Sequence, residues 1–365
     1  MRPAGPISVL IVDDSAQMRS LVAHELSQQP DIRVVAAASD PYEARELIIA
    51  HRPEVIVLDT DMPRMDGLTF LRKLVVHYPV PVIMCSGPDD PAGRKALAAV
   101  ELGAVDVVRK PEAGGSPALR LLAAELAERI RAAAASILVR PHVPAAATGP
   151  VSFAGAGLDP ARCLVVLGAS TGGTEAIRAF LSAAPADFPP VAMVQHMPAG
   201  FTAAFAGRLE RLSRMSVAEA AEGDLLRPGR ALLARGDTQM TVVRSAGQLR
   251  IRYAGTEPVN RHCPSVDVLF DSAARIPGKQ IIGVLLTGMG ADGAEGLLAL
   301  RQAGALTFAQ DRESCVVYGM PKVALDLGAV QHQGPPGELP GMIVRALQAA
   351  ARDSNGTAPA PAEHR

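Results

Sequence analysis

Short apolar runs alternate with amphipathic segments along the first 138 residues. The runs at 7–14, 32–39, 54–63, 80–87 and 105–111 predict strands, several of which end in polar residues. The segments between them carry apolar residues at helical spacing, and a last helix is predicted from Pro117 to Leu138. Five consecutive strand–helix units predict a parallel sheet with helices on both faces, a (βα)5 fold.

The same alternation resumes at residue 163 and continues to about 351. Residues 165–173, VVLGASTGG, predict a buried strand that breaks into a glycine-rich turn before a helix. Another strand ends at His196, and the run IIGVLLT ends in a second glycine-rich turn that holds Asp292. The middle is richer in strands, and turn signals at 228–229, 236–237 and 246–247 predict hairpins. We therefore expect a doubly wound, mainly parallel sheet with a β-hairpin insertion.

Composition divides these two α/β domains from their connections. Residues 139–162 are rich in Pro, Ala and Gly without periodicity, which predicts a flexible linker, and residues 352–365 predict a disordered tail. The first domain is therefore expected at 1–125, with its last helix running on to about 138, and the second at 163–351.

Charge and hydropathy exclude several classes of partner. The net charge of -1 offers no basic footprint for nucleic acid, and no apolar run is long enough to cross a membrane. The amino terminus lacks a secretion signal, and the four cysteines are far apart without a CxxC pair. These features predict a cytoplasmic protein with no disulfide, no zinc, no nucleic-acid partner and no membrane insertion. We also expect a monomer.

Polar residues close the strands of the first domain. Asp13 and Asp14 follow the first strand and Asp59 ends the third, so the three carboxylates are expected at one edge of the sheet. Clustered carboxylates suit Mg²⁺, because it prefers oxygen ligands and offsets their repulsion. Ser86 and Lys110 end the fourth and fifth strands, and together these groups could hold a phosphoryl group.

These residues lie in motifs that resemble the receiver domain of two-component response regulators, a flavodoxin-like fold. The motifs are VDDS at 12–15, LDTDMPRMDG at 58–67, CSG at 85–87 and KP at 110–111. The resemblance implies that Asp59 accepts the phosphoryl group, that Asp13 and Asp14 hold Mg²⁺ with it, and that Ser86 and Lys110 report the change. Receivers usually carry an aromatic residue where this chain has Val107, which puts the usual coupling route in question.

The glycine-rich turn at Ser170 has two interpretations. It could cradle a phosphate at a helix amino terminus, or Ser170 could be a nucleophile whose oxyanion is held by backbone N–H groups. His196 and Asp292 also follow strand ends, and imidazole and carboxylate are the groups that activate a serine. Taken singly, each could instead be a core or capping residue. The order Ser, His, Asp disfavours an ordinary α/β-hydrolase, in which the carboxylate precedes the histidine along the chain.

The second domain resembles the CheB family of chemotaxis protein-glutamate methylesterases over nearly its whole length. The likeness is carried by GASTGGTEAI, VQHMPAGFT, NRHCPSVDVLF, TGMGADGAEGLLALR and AQDRESCVVYGMPK. It implies a catalytic triad of Ser170, His196 and Asp292, with backbone N–H groups at Met289 and Thr171 for the oxyanion. Within the matching motifs, Arg261 and His262 receive only a binding or structural role. Family members usually carry a histidine where this chain has Gln239, so no role is carried over there.

The family implies an activity, a regulation and partners. The expected reaction is hydrolysis of glutamate methyl esters on methyl-accepting chemoreceptors, with deamidation of receptor glutamines as a second activity. A chemotaxis histidine kinase would supply the phosphoryl group, and the receiver would cover the Ser170 cleft until Asp59 is phosphorylated. Two rivals are a DNA-binding response regulator, disfavoured because residues 163–351 show no basic clustering, and a catalytically silent docking module.

Overall fold

The computed structural model of the protein describes residues 5–87, 90, 93–111, 116–135, 152–278 and 280–356. Within this part of the chain there are two α/β domains, each of which contains a parallel sheet.

The first domain contains a five-stranded sheet in the order β2-β1-β3-β4-β5, in which all paired neighbours are parallel. Helices cover both faces, and each face has its own apolar core. This is the expected (βα)5 arrangement. Its strands are β1 (Ile7–Val12), β2 (Ile32–Ala38), β3 (Val55–Asp59), β4 (Val82–Ser86) and β5 (Asp106–Arg109), and its helices are α1 (Ala16–Ser27), α2 (Pro41–His51), α3 (Gly67–His77), α4 (Arg94–Glu101) and α5 (Ser116–Ala135).

The second domain contains a seven-stranded sheet in the order β14-β13-β12-β6-β7-β9-β8, again with parallel pairs. A separate antiparallel pair, β10 and β11, forms the inserted hairpin. The strands are β6 (Cys163–Ala169), β7 (Val191–Gln195), β8 (Ser216–Glu219), β9 (Arg230–Leu233), β10 (Met240–Ser245), β11 (Gln248–Tyr253), β12 (Gln280–Leu285), β13 (Leu306–Gln310) and β14 (His332–Gly334). The helices are α6 (Gly173–Ala183), α7 (Phe201–Leu212), α8 (Val266–Ala274), α9 (Ala294–Gln302), α10 (Met320–Asp326) and α11 (Leu339–Gly356).

Burial explains why β6, β7 and β12 form the centre of this sheet. Every residue of β6 and β7 is buried, because helices pack on both faces of the sheet. Continuous apolar strands of this kind suit the middle of a parallel sheet. The central strands also end side by side, which places the residues that follow them at one edge.

The turn signals predicted more hairpins than the structure contains. Of the three signals, only the one at 246–247 joins a hairpin, between β10 and β11. The turn at 228–229 precedes β9, which pairs with β8 in parallel, and the turn at 236–237 joins β9 to β10 of a different sheet. A Pro-Gly or Gly-Asp pair indicates that the chain turns there. It does not indicate whether the strands on either side of the turn pair with each other.

The expected linker extends too far at its carboxyl end. Residues 152–162 pack against the second domain through two short 3₁₀ turns, Ala154–Ala156 and Pro160–Arg162. Phe153 is fully buried and its ring meets that of Phe188 edge to face, with centroids 5.9 Å apart. Residues 139–151 of the linker lie outside the described residues.

The first five residues of the predicted tail, 352–356, are helical. Helix α11 continues to Gly356, and the rest of the tail lies outside the described part of the chain.

The two domains meet along α4 and β5 of the first and α7 of the second. Phe201, the first residue of α7, is buried among apolar residues of the first domain. Gly93 makes this approach possible, since a Cβ there would lie 2.1 Å from Phe201 Cδ1. Polar contacts surround this packing: Arg208 pairs with Glu101, and Arg261 with Glu128, each at 2.9 Å.

Candidate active site and phosphoryl site

The carboxyl edge of the first sheet gathers carboxylates and a lysine. Oxygen atoms of Asp13, Asp14 and Asp59 all lie within 4.8 Å of one another. Lys110 Nζ lies 2.7 Å from Asp13 Oδ2 and 2.8 Å from Asp59 Oδ1. The structure thus brings these four predicted residues together, because β1, β3 and β5 end at the same edge.

Burial shapes the acidity of this cluster. It raises the pKa of Asp59 to about 6, against the opposing attraction of Lys110. Burial also disfavours the charge of Lys110, but Asp59 and Asp13 outweigh it and hold the pKa of the lysine above its ordinary value. Three carboxylates this close carry more negative charge than one lysine neutralises, so the donor set fits a divalent cation such as Mg²⁺.

Ser86 lies at the same edge but its hydroxyl points elsewhere. Its Oγ donates to Asp90 Oδ2 at 3.4 Å, while its carbonyl accepts from the Lys110 N–H at 2.8 Å. Asp90 in turn accepts from three backbone N–H groups at the start of α4, those of residues 94, 95 and 96. Sequence reasoning missed Asp90, which links the serine to the amino terminus of the helix that meets the second domain.

At the second sheet, Ser170 and His196 follow neighbouring strands. Ala169 pairs with Gln195 in the register of β6 and β7, so the next residue of each strand lies at the same level of the edge. Ser170 N donates to Thr287 O of the chain that leaves β12, at 3.0 Å. Both side chains are buried, and they line one cleft between the domains.

Asp292 holds one nitrogen of the His196 ring. Its Oδ2 lies 2.8 Å from His196 Nε2. The side chains of Asn260 and Ser265 donate to Oδ1 at 3.0 and 2.7 Å, and Val266 N donates to Oδ2 at 2.7 Å. Burial alone would raise the pKa of Asp292, but the neighbouring His196 ring, and then the hydrogen bonds from Asn260 and Ser265, hold it well below its usual range. The carboxylate is therefore ionised and fixes the proton of His196 on Nε2.

This tautomer leaves His196 Nδ1 as the basic atom. Nδ1 is buried without a hydrogen-bond partner among the described residues. Among the described residues, no hydrogen bond joins the Ser170 hydroxyl to the His196 ring. In enzymes without bound substrate, the hydrogen bond between a nucleophile and its base is often long. An unpaired imidazole nitrogen beside a serine is a group that can accept a proton.

His262 stacks on the imidazole ring of His196. The two rings are 3.7 Å apart between centroids and 12° from parallel. Burial, and then the neighbouring His196, lower the pKa of His262 to about 3, so the stacked ring is neutral. Its neighbour Arg261, grouped with it by motif alone, pairs instead with Glu128 of the first domain.

The backbone beside Ser170 offers unpaired donors. The N–H groups of Thr171 and Met289 donate to no other described residue. Gly288 brings the Met289 segment close, since a Cβ on it would lie 2.7 Å from Ser170 Cβ. Thr287 Oγ1 donates to Thr171 O at 3.0 Å and so ties the two turns together. Backbone N–H groups without a partner, close to a serine hydroxyl, are donors of the kind that can hold an oxyanion.

Gln239 organises the loop that carries His262 and Ser265. Its Nε2 donates to Glu257 O and His262 O at 3.0 and 2.9 Å, and its Oε1 accepts from Ser265 N at 2.8 Å. A histidine could not make all three bonds at once, because its ring has only two nitrogens.

The first domain covers this site. Its residues Gly93, Leu97 and Val107 line the cleft opposite Ser170 and His196. Thr171, the residue after Ser170, donates its hydroxyl to Asp106 Oδ2 at 2.8 Å, and Asp106 also contacts Arg129 of α5.

Comparisons with known proteins agree with this two-part architecture. A family profile described as "CheB methylesterase" matches residues 165–343, and one described as "Response regulator receiver domain" matches residues 9–116. A protein-glutamate methylesterase/protein-glutamine glutaminase of Pseudomonas aeruginosa is 47% identical over 351 residues, covering 96% of this chain and 99% of its own length. The chain belongs to the CheB family.

Other members of the CheB family match this chain either over nearly its whole length or over one of its two domains. The enzyme of the same printed name from Bordetella avium is 49% identical over 94% of this chain and 97% of its own length. Among solved structures, the Thermotoga maritima CheB methylesterase catalytic domain is 35% identical, covering 50% of this chain and 97% of that one, with a TM-score of 0.49. The Thermotoga maritima CheB response regulator domain is 39% identical over 35% of this chain and 96% of that one, with a TM-score of 0.33.

Two further observations concern membranes and cysteines. Among the described residues, no helix combines the length and apolarity that crossing a membrane requires. All four cysteines are free, and those at 85, 163 and 315 are buried.

Proposed function

We propose that this protein hydrolyses glutamate γ-methyl esters on methyl-accepting chemoreceptors, with deamidation of receptor glutamines as a second activity. The relatives named above carry both activities in their names. The observation that carries the proposal is the 2.8 Å bond between Asp292 and His196 Nε2, which leaves Nδ1 without a partner among the described residues in a cleft that Ser170 also lines. We assign the three residues as a catalytic triad.

In the first half-reaction, Ser170 Oγ attacks the carbonyl carbon of the ester while His196 Nδ1 takes the hydroxyl proton. The carbonyl oxygen becomes an oxyanion, which the N–H groups of Thr171 and Met289 stabilise. Asp292 balances the imidazolium charge. His196 then protonates the methoxide, so methanol leaves and a γ-glutamyl ester of Ser170 remains.

In the second half-reaction, water attacks the acyl group as His196 Nδ1 removes its proton. Breakdown of the second tetrahedral intermediate returns the proton to Ser170 and releases glutamate. A glutamine side chain follows the same course with ammonia as the leaving group.

Asp59 is the proposed phosphoryl acceptor, and Asp13, Asp14 and Asp59 would hold Mg²⁺. The closeness of their oxygens supports this assignment, and the exposure of Asp14 leaves room for further ligands. The cation would neutralise charge on the incoming phosphoryl group. Lys110 is placed to pair with a phosphoryl oxygen once Asp59 is modified, and Ser86 is the proposed second reporter.

The first domain is the proposed gate. It covers the cleft through Leu97 and Val107, and Asp106 binds the hydroxyl of Thr171 beside the nucleophile. Phosphorylation of Asp59 would favour an arrangement in which these contacts are released. The proposed partners are the chemoreceptors as substrate and a chemotaxis histidine kinase as phosphoryl donor, and the proposed setting is a monomer in the cytoplasm.

Methanol release from methylated receptor fragments tests the enzyme and the gate together. The rate is measured with and without acetyl phosphate and Mg²⁺, for the wild-type chain and for Ser170→Ala, Asp59→Asn and Ser182→Ala. Loss of the nucleophile is expected to lower the rate by about 10⁴-fold or more. Asp59→Asn is expected to abolish the stimulation, and Ser182, a surface serine that bonds Leu212 O, serves as the control.

Contrary results separate the parts of the proposal. Undiminished release by Ser170→Ala would refute the triad. No release by the wild-type chain from any receptor fragment would favour the docking module instead. Stimulation that persists in Asp59→Asn would refute the gate while leaving the esterase intact.

A further inference from the structure

The backbone ladder between β6 and β7 ends one step before the reacting residues. His196 N donates to Ala169 O at 3.1 Å. Beyond this bond, no backbone hydrogen bond between described residues joins the segment at Ser170 to the one at His196. The relative position of these two residues therefore needs another constraint.

The side chain of Gln195 bridges this gap. Its Nε2 donates to Ser170 O at 2.8 Å and to His196 O at 3.2 Å. Two carbonyl oxygens only accept and cannot bond each other, whereas a carboxamide NH₂ carries two donors. One buried amide thus connects the backbones of both residues.

The oxygen of the Gln195 side chain indicates that this residue does more than fill space. Gln195 Oε1 is buried and has no hydrogen-bond partner among the described residues. It faces the start of α6, where a Cβ added at Gly173 would lie 2.1 Å from it. A buried acceptor without a partner is unfavourable, and an apolar side chain of similar size would avoid it. The N–H groups are therefore the useful part of this residue.

We propose that Gln195 is a positioning residue that holds the proposed nucleophile Ser170 at a fixed distance from its proposed base His196. This inference rests on the triad proposed above. The hydrogen bonds of Gln195 go to the backbone carbonyls of Ser170 and His196 and not to their side chains, so its proposed effect reaches the reaction through the two backbone segments.

Two substitutions separate positioning from packing. Gln195→Met keeps the length of the side chain and removes both donors. Gln195→Glu keeps the shape, but at neutral pH places a carboxylate against two carbonyl oxygens. When protonated, the introduced carboxyl can again donate one hydrogen bond. Gln348→Met is the control, because Gln348 Nε2 donates to Ala156 O at 3.0 Å on another face of the domain.

The experiment uses the full chain in acetyl phosphate and Mg²⁺, with two readouts. One is kcat and KM for methanol release from a methylated receptor fragment, and the other is the rate at which a fluorophosphonate modifies Ser170. For Gln195→Met we expect kcat and the modification rate to fall about 10- to 100-fold with KM unchanged, since small misplacements cost this much. For Gln195→Glu we expect a larger share of wild-type activity at pH 6 than at pH 8.

Several outcomes would overturn the inference. Gln195→Met within threefold of wild type in both readouts would do so, as would Gln195→Glu with a wild-type pH profile. Should the methionine variant fail to fold, the pH profile of the glutamate variant decides. Ser170→Ala, run in parallel, keeps the two proposals apart. If it remains active, the triad is wrong. If it is inactive while Gln195→Met is active, only the positioning role is wrong.

Discussion

The two sheet edges of this protein treat a buried carboxylate in opposite ways. At the receiver edge, Asp59 lies beside Asp13 with Lys110 as its charged partner, and burial raises the pKa of Asp59 to about 6. At the catalytic edge, Asp292 is surrounded by hydrogen-bond donors that hold its pKa well below the usual range. The first site concentrates charge that an incoming cation and phosphoryl group can use. The second satisfies its charge internally, so that it can orient a neighbouring ring. Both carboxylates lie at the carboxyl edge of a parallel sheet, and the supply of donors decides the chemistry.

The largest expected effect comes from removing the charge at the catalytic edge. Asp292→Asn should lower kcat for methanol release by about 10³- to 10⁴-fold, because an amide can neither balance an imidazolium nor fix the same tautomer. Asp187→Asn is the matched control. Asp187 likewise accepts from Ser152 Oγ, Phe153 N and Ala154 N, but it lies outside the cleft. Equal losses in the two variants would mean that the carboxylate only supports the fold.

A smaller effect concerns His262 and the loss of stability at acidic pH. His262 has a folded-state pKa of about 3, lowered by burial, by His196, and by Arg129 and Arg261, with Asp292 opposing. Because the unfolded pKa is about 6.5, stability is fully present above that pH and is lost as the pH falls toward 3. His262→Phe keeps an aromatic ring without the proton. Between pH 7.5 and 5, the unfolding free energy of His262→Phe should therefore fall by about 2 kcal/mol less than that of the wild-type chain.

Urea unfolding at the two pH values measures this difference. The comparison is between the pH-dependent changes of the two chains, so any constant cost of the substitution cancels. Identical changes in both chains would contradict the neutral state of His262.

The smallest expected effect is at the contact between the domains. Gly93→Ala would place a Cβ against Phe201, and so should loosen the cover over the cleft and raise the basal rate of methanol release about fivefold to tenfold. Gly103→Ala controls for backbone strain, since Gly103 also has a positive φ but meets only Val75 of its own domain. A basal rate that is unchanged in Gly93→Ala, or raised equally in both, would contradict a covering role for this contact.

The sequence predicted the strand ends well because the physical signal there is local. An apolar run followed by a carboxylate, a lysine or a histidine marks both the strand and its end, and parallel strands bring those ends together. Asp13, Asp59, Lys110 and His196 were placed at their sheet edges in this way, and Asp292 by the glycine-rich turn that follows β12.

The residues that the sequence did not reveal act through contacts distant along the chain. Asn260 and Ser265 reach Asp292 from a loop, and an amide such as Gln195 or Gln239 carries no pattern that tells a clamp from a surface residue. Phe153 is a single large apolar residue in a segment of small residues, so no hydrophobic periodicity predicted its burial. The choice between the two nitrogens of His196 likewise depends on a side chain that is 96 positions away.

The bond from Thr171 to Asp106 has a thermodynamic consequence for signalling. If a closed cleft and a phosphorylated Asp59 oppose each other, then a receptor segment that occupies the cleft must favour phosphorylation by the same free energy, because linkage is reciprocal. Substrate and phosphoryl donor then act as mutual effectors across one interface. Enzyme already engaged on a receptor would be the form in which phosphorylated Asp59 is most stable relative to the free carboxylate.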